Sequence, residues 1–318
     1  MSPNAVEIMI ASLAENTYRQ YDCCIRAWID YCNLKKYDYF DCSVISIIDF
    51  LTLTFEKGAK YGTINSYKSA LGLILGPVVN DERIKRFMRG VFRLRPTAPK
   101  YSLTWNPNIV LSYLADKWPN ESLDLQNLSM KTATLLALVT AHRVQTLSLI
   151  KLDNIQAYED SEIIIKIPDI IKTSRANALQ PVLKLPFFNE RPEICPGRTL
   201  VCYIKKTKLL RQRSQNFLFI SHKRPHGRIS SQRLSHWIKD TLHNSGIDTA
   251  LFSAHSTRHA ATSAAKKLGV NVETIRKTAG WTDSSSVFAK FYNKEIIDDP
   301  NQFARLILSG NDNDDTLE

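Results

Sequence analysis

The first part of the chain repeats its apolar residues every three or four positions with polar residues between, the period of a helix that buries one face. Thr17 followed by Gln20 forms a capping box, and Tyr21, Ile25, Trp28 and Cys32 then recur on one side, so a helix is predicted to start at that threonine. Ser43 precedes a second helix with Val44, Ile47, Ile48 and Leu51 on its apolar face and Gly58 to stop it. Thr63 opens a third carrying Ile64, Tyr67, Leu71 and Ile74, and Asp81 to Leu94 makes a fourth. Helices with no strand signal predict a helical domain over residues 1–95. "RPTAPK", Arg95 to Lys100, has two prolines and no periodicity, which predicts an extended linker over 96–105.

Beyond the linker the pattern changes. "LSMKTATLLALVTAHRVQTLSLI" predicts a buried helix, a break near Ala141 and His142, and a second short helix. "EIIIKI" and "DIIKTS", separated by Pro168 and Asp169, are β-branched runs, and with "PVLKLP" they predict a small three-stranded antiparallel sheet. Helical spacing returns from Arg198. The fold class expected is therefore mainly α with a small antiparallel β-sheet, with a second domain over 106–300. Residues 301–318 follow, where "NQFARLILS" places Phe303, Leu306 and Ile307 at helical spacing and the acidic "NDNDDTLE" is predicted to be disordered.

Composition narrows the function. The first twenty residues carry Glu7 and Glu15 and no long apolar core, and the longest apolar stretch, around Thr132 to Ala141, is too short for a bilayer; an intracellular protein with no membrane partner is expected. Six cysteines without a C-x-x-C pair indicate neither a zinc ribbon nor a disulfide framework. The formal charge is +11, and its distribution is uneven. No acidic residue lies between Glu193 and Asp240, a stretch that holds Lys205, Lys206, Arg224, Arg228 and Arg233 among its cations and Tyr203, Phe217, Phe219 and Trp237 among them. A second cluster, "RIKRFMRGVFRLR", contributes Arg83, Lys85, Arg86, Arg89, Arg93 and Arg95. A solvated face normally mixes signs, so one-sign runs with aromatic residues interleaved point to a nucleic-acid backbone.

The chemistry concentrates in "AHSTRHAATSAA", Ala254 to Ala265. Ser256 or Thr257 is placed to cap a helix running to Gly269, with His255 and Arg258 at its N-terminal end. That end presents backbone N–H groups and a positive dipole, and an arginine fork with an imidazole beside them makes a seat for phosphate. His255 and His259 also have the spacing of two zinc ligands, but no glutamate lies between them and no third ligand follows. Taken alone, H-x-x-R fits a capped structural helix better, and Tyr292 alone fits an aromatic anchor better.

The ordered set His255-x-x-Arg258, Gly280-Trp281 and Tyr292, the last tyrosine of the chain, resembles the C-terminal box of the tyrosine recombinases, the phage integrase family. Upstream, "TAHRVQTLSLIKLDNI" resembles the family's first box with Arg143 in the arginine position, and "IIKTS" resembles the strand turn that carries its lysine, here Lys172. "HSTRHAATSAA" and "AGWTDSSSVFAKFYNK" look most like recombinases of eukaryotic mobile elements of the Crypton and DIRS-like kinds. The sequence departs from the family at Gln145 and Thr146, where a glutamate is frequent, and at Trp281, where many members have histidine.

The resemblance implies an N-terminal helical, SAM-like core-binding domain and an α+β catalytic domain. It implies cleavage of double-stranded DNA through a 3′-phosphotyrosine bond with neither metal nor other cofactor, a tetramer on two DNA duplexes, and a nuclear location in a eukaryote. Tyr292 would be the nucleophile. Arg143, Arg258 and Trp281 would stabilise the phosphorane, His255 would exchange the tyrosine proton, and Lys172 would protonate the departing 5′ oxygen. A catalytically inactive DNA-binding protein of the same fold is the rival expectation; a metal-dependent nuclease lacks the carboxylate cluster it would need.

Overall fold

Ser43 and Asp81 start their helices as the sequence predicts, each accepting a hydrogen bond from a backbone N–H of the first turn: Ser43 Oγ from Ser46 at 3.1 Å, Asp81 Oδ1 from Arg83 at 2.9 Å. These are the caps of α3 (Val44–Glu56) and α5 (Glu82–Leu94) in a computed structural model that describes residues 2–97, 100–158, 161–176, 179–212, 215–281, 292 and 294–297. The stretch Asn301 to Ser309 and the acidic tail lie outside the described residues.

The chain divides into two compact units, Met1–Pro99 and Lys100–Glu318. The first holds α1 (Pro3–Ala11), α2 (Glu15–Lys35), α3, α4 (Tyr61–Leu75) and α5. Its core is built by the predicted apolar faces, Trp28 and Cys32 from α2, Val44, Ile47 and Leu51 from α3, Ile64 and Leu71 from α4, together with Ile84, Met88 and Val91 from α5. Two starts differ from the sequence reading. α2 begins at Glu15, which puts Thr17 and Gln20 inside the helix; Gln20 serves tertiary contact instead, its Nε2 donating to Ser66 Oγ on α4 at 2.8 Å. α4 begins at Tyr61 rather than Thr63.

The second unit opens with β1 (Leu103–Trp105), which takes up the last residues of the span expected as linker. α6 (Pro107–Ala115) and α7 (Leu125–Thr140) follow, and α7 is buried almost all round. It stops where predicted: Ala141 lies at φ 49°, and a short α8 (Val144–Leu147) resumes after Arg143. The three-stranded antiparallel sheet is present, but its strands are β2 (Ile155–Tyr158), β3 (Glu162–Lys166) and β4 (Val182–Pro186). "DIIKTS" is not a strand: Ile171 buries while Ile170 and Lys172 stand in solvent, and the ladder beside β3 is filled by β2 in the register Ile155 opposite Ile165. Lys172 thus sits on the loop leaving the sheet.

α9 (Pro196–Thr207), α10 (Ser231–Asn244), α11 (Ser256–Lys267) and α12 (Val272–Thr278) complete the helical layer, and β5 (Glu295–Ile297) pairs in parallel with β1. Tyr203, Phe219 and Trp237, read in the sequence as aromatics interleaved with cations for stacking on nucleic acid, are buried in the core of this unit. The cations beside them are their solvent-facing neighbours, so alternation of aromatic and basic residues here is the amphipathic pattern of packed elements.

Candidate active site

α11 packs on α7, and its small side chains make the approach possible: Ala260 is fully buried. Gly269, at φ 87°, ends the helix in the left-handed conformation that glycine adopts without steric penalty. At the other end neither Ser256 nor Thr257 caps. Their hydroxyls turn back to the carbonyls of Ser253 and Ala254 at 2.7 and 2.8 Å, and His255 itself occupies the N-cap position. Ser256 Oγ also accepts from Trp105 Nε1 at 2.8 Å, tying β1 to the start of α11.

That tie reaches Tyr292. Its carbonyl accepts from Ser263 Oγ on α11 at 2.8 Å, Ser263 Oγ accepts in turn from Lys294 N at 3.0 Å, and β5 immediately beyond pairs with β1. The backbone around the tyrosine is therefore anchored to the helix that carries His255 and Arg258. The hydroxyl lies 2.9 Å from His255 Nε2. The ring stacks on His259 at 4.2 Å between centroids and 16° between planes, and meets Trp281 at 4.7 Å.

Arg258 is 1% exposed, unusual for a guanidinium. Nη1 donates to the Ala141 carbonyl at 2.9 Å, and the guanidinium carbon lies 4.2 Å from the Trp281 ring centroid, a cation–π contact. Nε and Nη2 are buried without a hydrogen-bond partner. Burial, and then the charge of Arg143, push Arg258 down to about 9. Removing two N–H donors from water without replacing their bonds is costly, so the pocket is an incomplete one that an anion would complete.

Arg143, half-buried at the N-cap of α8, lies close enough for its charge to act on both Arg258 and His255. Gln145, standing where a glutamate is frequent, is exposed, and no ion pair joins Arg143 or Arg258 to a carboxylate among the described residues. Lys172 is exposed on its loop, with Lys100 a further cation close to His255. Desolvation of the ring side packed on its neighbours, then the charges of Arg258, Arg143, Lys100 and Lys172, push His255 down to about 4, although the residue remains open to solvent. Near neutrality its imidazole is uncharged and able to accept a proton.

All six residues that the resemblance singled out, Arg143, Lys172, His255, Arg258, Trp281 and Tyr292, thus lie in one unit around one cationic seat. Two neighbours were missed: His259, stacked on Tyr292, and His142, buried against Gly280. A visible signal existed, since each arginine has a histidine directly beside it in the sequence, His142-Arg143 and Arg258-His259.

The basic clusters divide by role. On α5, Arg83, Lys85, Arg86, Arg89 and Arg93 are exposed, and Lys85, Arg89 and Arg93 line a groove with Tyr61, Lys68 and Phe92. Arg83 and Lys85 pair with Asp81 and Glu82. Arg95 is different: its Nη1 donates to the carbonyls of Phe55 and Ala59 at 2.5 and 3.1 Å and its guanidinium covers Phe55, so it latches α5 to the end of α3. In the second unit Lys205, Arg224 and Arg233 are exposed, Lys206 bonds to the carbonyls of Glu121 and Leu123, and Arg228 stacks on Phe217 at 3.4 Å.

A helical unit followed by an α+β unit with this small sheet is the tyrosine recombinase fold. The model of the phage integrase family matches residues 114–296, more than half of the chain, and the protein belongs to that family. Similar solved structures include a lambda integrase dimer bound to a COC′ core site (17% identity, 92% of this chain and 76% of that one, TM-score 0.56). A Tn1549 transposon integrase in complex with transposon right end DNA is similar at 18% identity, 87% and 89% coverage and TM-score 0.58. A lambda integrase tetramer bound to a Holliday junction is similar at 16% identity, 89% and 77% coverage and TM-score 0.53. No curated protein matches the chain significantly.

Proposed function

We propose that the protein is an active site-specific DNA recombinase that cuts and rejoins duplex DNA through a 3′-phosphotyrosine bond on Tyr292. The observation that carries this reading is the 2.9 Å contact of the Tyr292 hydroxyl with a neutral-leaning His255, beside a buried arginine with two unpartnered N–H groups. A scissile phosphate seated on Arg258 and Arg143 places its non-bridging oxygens on the two guanidiniums, and the charge that grows there during attack is stabilised by donors already in position. The phenol passes its proton to His255 as it attacks phosphorus. The Trp281 indole N–H is a third donor to those oxygens. The 5′ oxygen leaves with a proton from Lys172, whose loop lets the ammonium reach in. The phosphotyrosine keeps the phosphodiester's energy, so a new 5′-hydroxyl rejoins the strand with no cofactor. Mixing protein with end-labelled duplex and looking for an SDS-resistant, protease-sensitive adduct tests the reading; DNA binding without any adduct would leave only the inactive, domesticated alternative.

The substrate is the end of a mobile element, of the Crypton or DIRS-like kind, and the working assembly is a tetramer on two duplexes. Support comes from the resemblance of "HSTRHAATSAA" and "AGWTDSSSVFAKFYNK" and from the DNA-bound dimeric and tetrameric lambda integrases of similar fold.

Lys172 is tested through its leaving group. Lys172→Ala should slow cleavage of ordinary duplex by roughly 10²-fold or more, and a substrate with a 5′-bridging sulfur, which departs without a proton, should recover most of that loss. Absence of recovery would remove the general-acid role.

DNA is held by cations of both units, so affinity should fall steeply with salt, by on the order of 10³-fold or more between 50 and 200 mM if about six phosphates are neutralised. Arg89→Ala with Arg93→Ala should lower the slope of log Kd against log salt by about two, while Arg95→Ala, which breaks a latch to carbonyls, should lower thermal stability with a smaller change in slope. A salt-insensitive affinity contradicts the assignment.

A further inference from the structure

The segment after α7 supplies the site three times in consecutive residues. Ala141, in the left-handed region at φ 49°, turns its carbonyl to Arg258 Nη1; Arg143 acts on Arg258 through its charge; between them His142 is buried, 5% exposed. Its imidazole lies against Gly280. A Cβ on that glycine would stand 2.7 Å from His142 Cε1 and 3.4 Å from both ring nitrogens, closer than any side chain tolerates at the first contact. Gly280 also has φ 65°, and the turn it makes closes α12: Gly280 N donates to Lys277 O at 3.2 Å and Trp281 N to Arg276 O at 2.9 Å. The next residue is the tryptophan that lies under Arg258 and against Tyr292.

We propose that His142 is a positioning residue for the proposed strand-cleavage reaction: its imidazole wedges against Gly280 and thereby sets Trp281, and through it Arg258, around the scissile phosphate. The inference rests on the recombinase reading of this site. Chemistry explains why the wedge is an imidazole. Burial, then Arg258 and Arg143, push His142 down to about 3, so it stands neutral between two guanidiniums, and a hydrogen bond with the Thr278 backbone orients the ring. A lysine there would repel both arginines, and a carboxylate would pair with them and cancel the charge that the phosphate needs. A neutral planar ring fills the space and leaves both forks for substrate.

The test uses the full-length chain with His142→Ala, Gly280→Ala and the double substitution. H142A should cut the single-turnover cleavage rate at saturating DNA by about tenfold to a hundredfold, as small displacements of catalytic groups do, with Kd for DNA changed less than about twofold. G280A should lose both cleavage and melting temperature, because the new methyl meets the imidazole and the residue stands at φ 65°, so the loss is only partly relieved by removing the ring. Adding H142A to G280A should then raise melting temperature and cleavage above G280A alone, since removal of the ring frees the space. Losses that simply multiply, or a loss of DNA affinity equal to the loss in rate, would overturn the proposal. The melting comparison reads the contact without turnover: coupled melting with no adduct from the unsubstituted protein would sink the recombinase reading alone, whereas additive melting would sink the role of His142 whatever the turnover.

Discussion

Tyr292→Phe is expected to abolish the covalent DNA adduct while leaving the Kd for duplex within about twofold, because phosphate charge is met by cations and not by the phenol. The phenyl ring keeps its stack on His259 and its contact with Trp281, while the hydroxyl's contacts with His255 at 2.9 Å and with the Arg258 guanidinium are lost, a change of about 1 kcal/mol in stability for each. Residual adduct at normal yield would assign the nucleophile elsewhere. The same hydroxyl–imidazole pair sets a pH dependence. His255 is held down to about 4, so it is neutral, and a proton acceptor, at every pH above that value, and the acceptor is lost only as pH falls through it. With DNA limiting, kcat/KM reports the free enzyme, so the acid limb should lie well below the ordinary histidine pKa of about 6.5. A midpoint near 6.5 would contradict the depression of His255 by its burial and its cationic surroundings.

Several features were legible because local rules and tertiary structure agree. Ser43 caps where spacing put it, the helix after Asp81 forms, the apolar faces from Trp28 to Leu71 meet in one core, and the break at Ala141 and the stop at Gly269 fall as read. Other readings failed because they rested on features that several structures share. "DIIKTS" has strand propensity, but a strand exists only where a partner supplies its hydrogen bonds, and "IQAY" takes that place in the ladder. Thr17 and Gln20 have capping-box spacing, yet the glutamine finds Ser66 across the bundle. Tyr203, Phe219 and Trp237 sit among cations in the chain and in the core of the fold, since a buried aromatic and an exposed lysine are neighbours on any amphipathic helix or strand.

The site was legible as an ordered set of residue types and illegible as an environment. Nothing in Arg143 or Arg258 as letters says that one is half-buried and the other almost wholly enclosed, that a tryptophan lies under the second, or that Ala141, over a hundred positions upstream, supplies its carbonyl. Those facts depend on α7 and α11 being packed together. His142 and His259 were passed over for the same reason, their partners Gly280 and Tyr292 being remote in the chain.

Arg258 should separate activity from stability. A guanidinium with 1% exposure that has no carboxylate partner among the described residues is a costly buried charge, and replacing such a group by an apolar side chain of similar volume is often neutral or stabilising. Arg258→Met is therefore expected to leave the melting temperature unchanged or raise it, because the methionine fills the space over Trp281 and removes the cation that Arg143 repels, which offsets the loss of the bond to the Ala141 carbonyl and of the contacts with the Trp281 and Tyr292 rings. Cleavage should fall by about 10²–10³-fold or more, the effect of removing a preorganised donor from a developing oxyanion, while the Kd for DNA, set by many exposed cations, changes only a few-fold. Arg258→Lys distinguishes charge from geometry: an ammonium keeps the sign but has no planar fork with which to hold the Ala141 carbonyl and a phosphate oxygen together, so it should recover little of the lost rate. Parallel collapse of melting temperature, DNA affinity and cleavage in Arg258→Met would instead make Arg258 a structural residue, and the unpartnered nitrogens would no longer mark the seat of a phosphate.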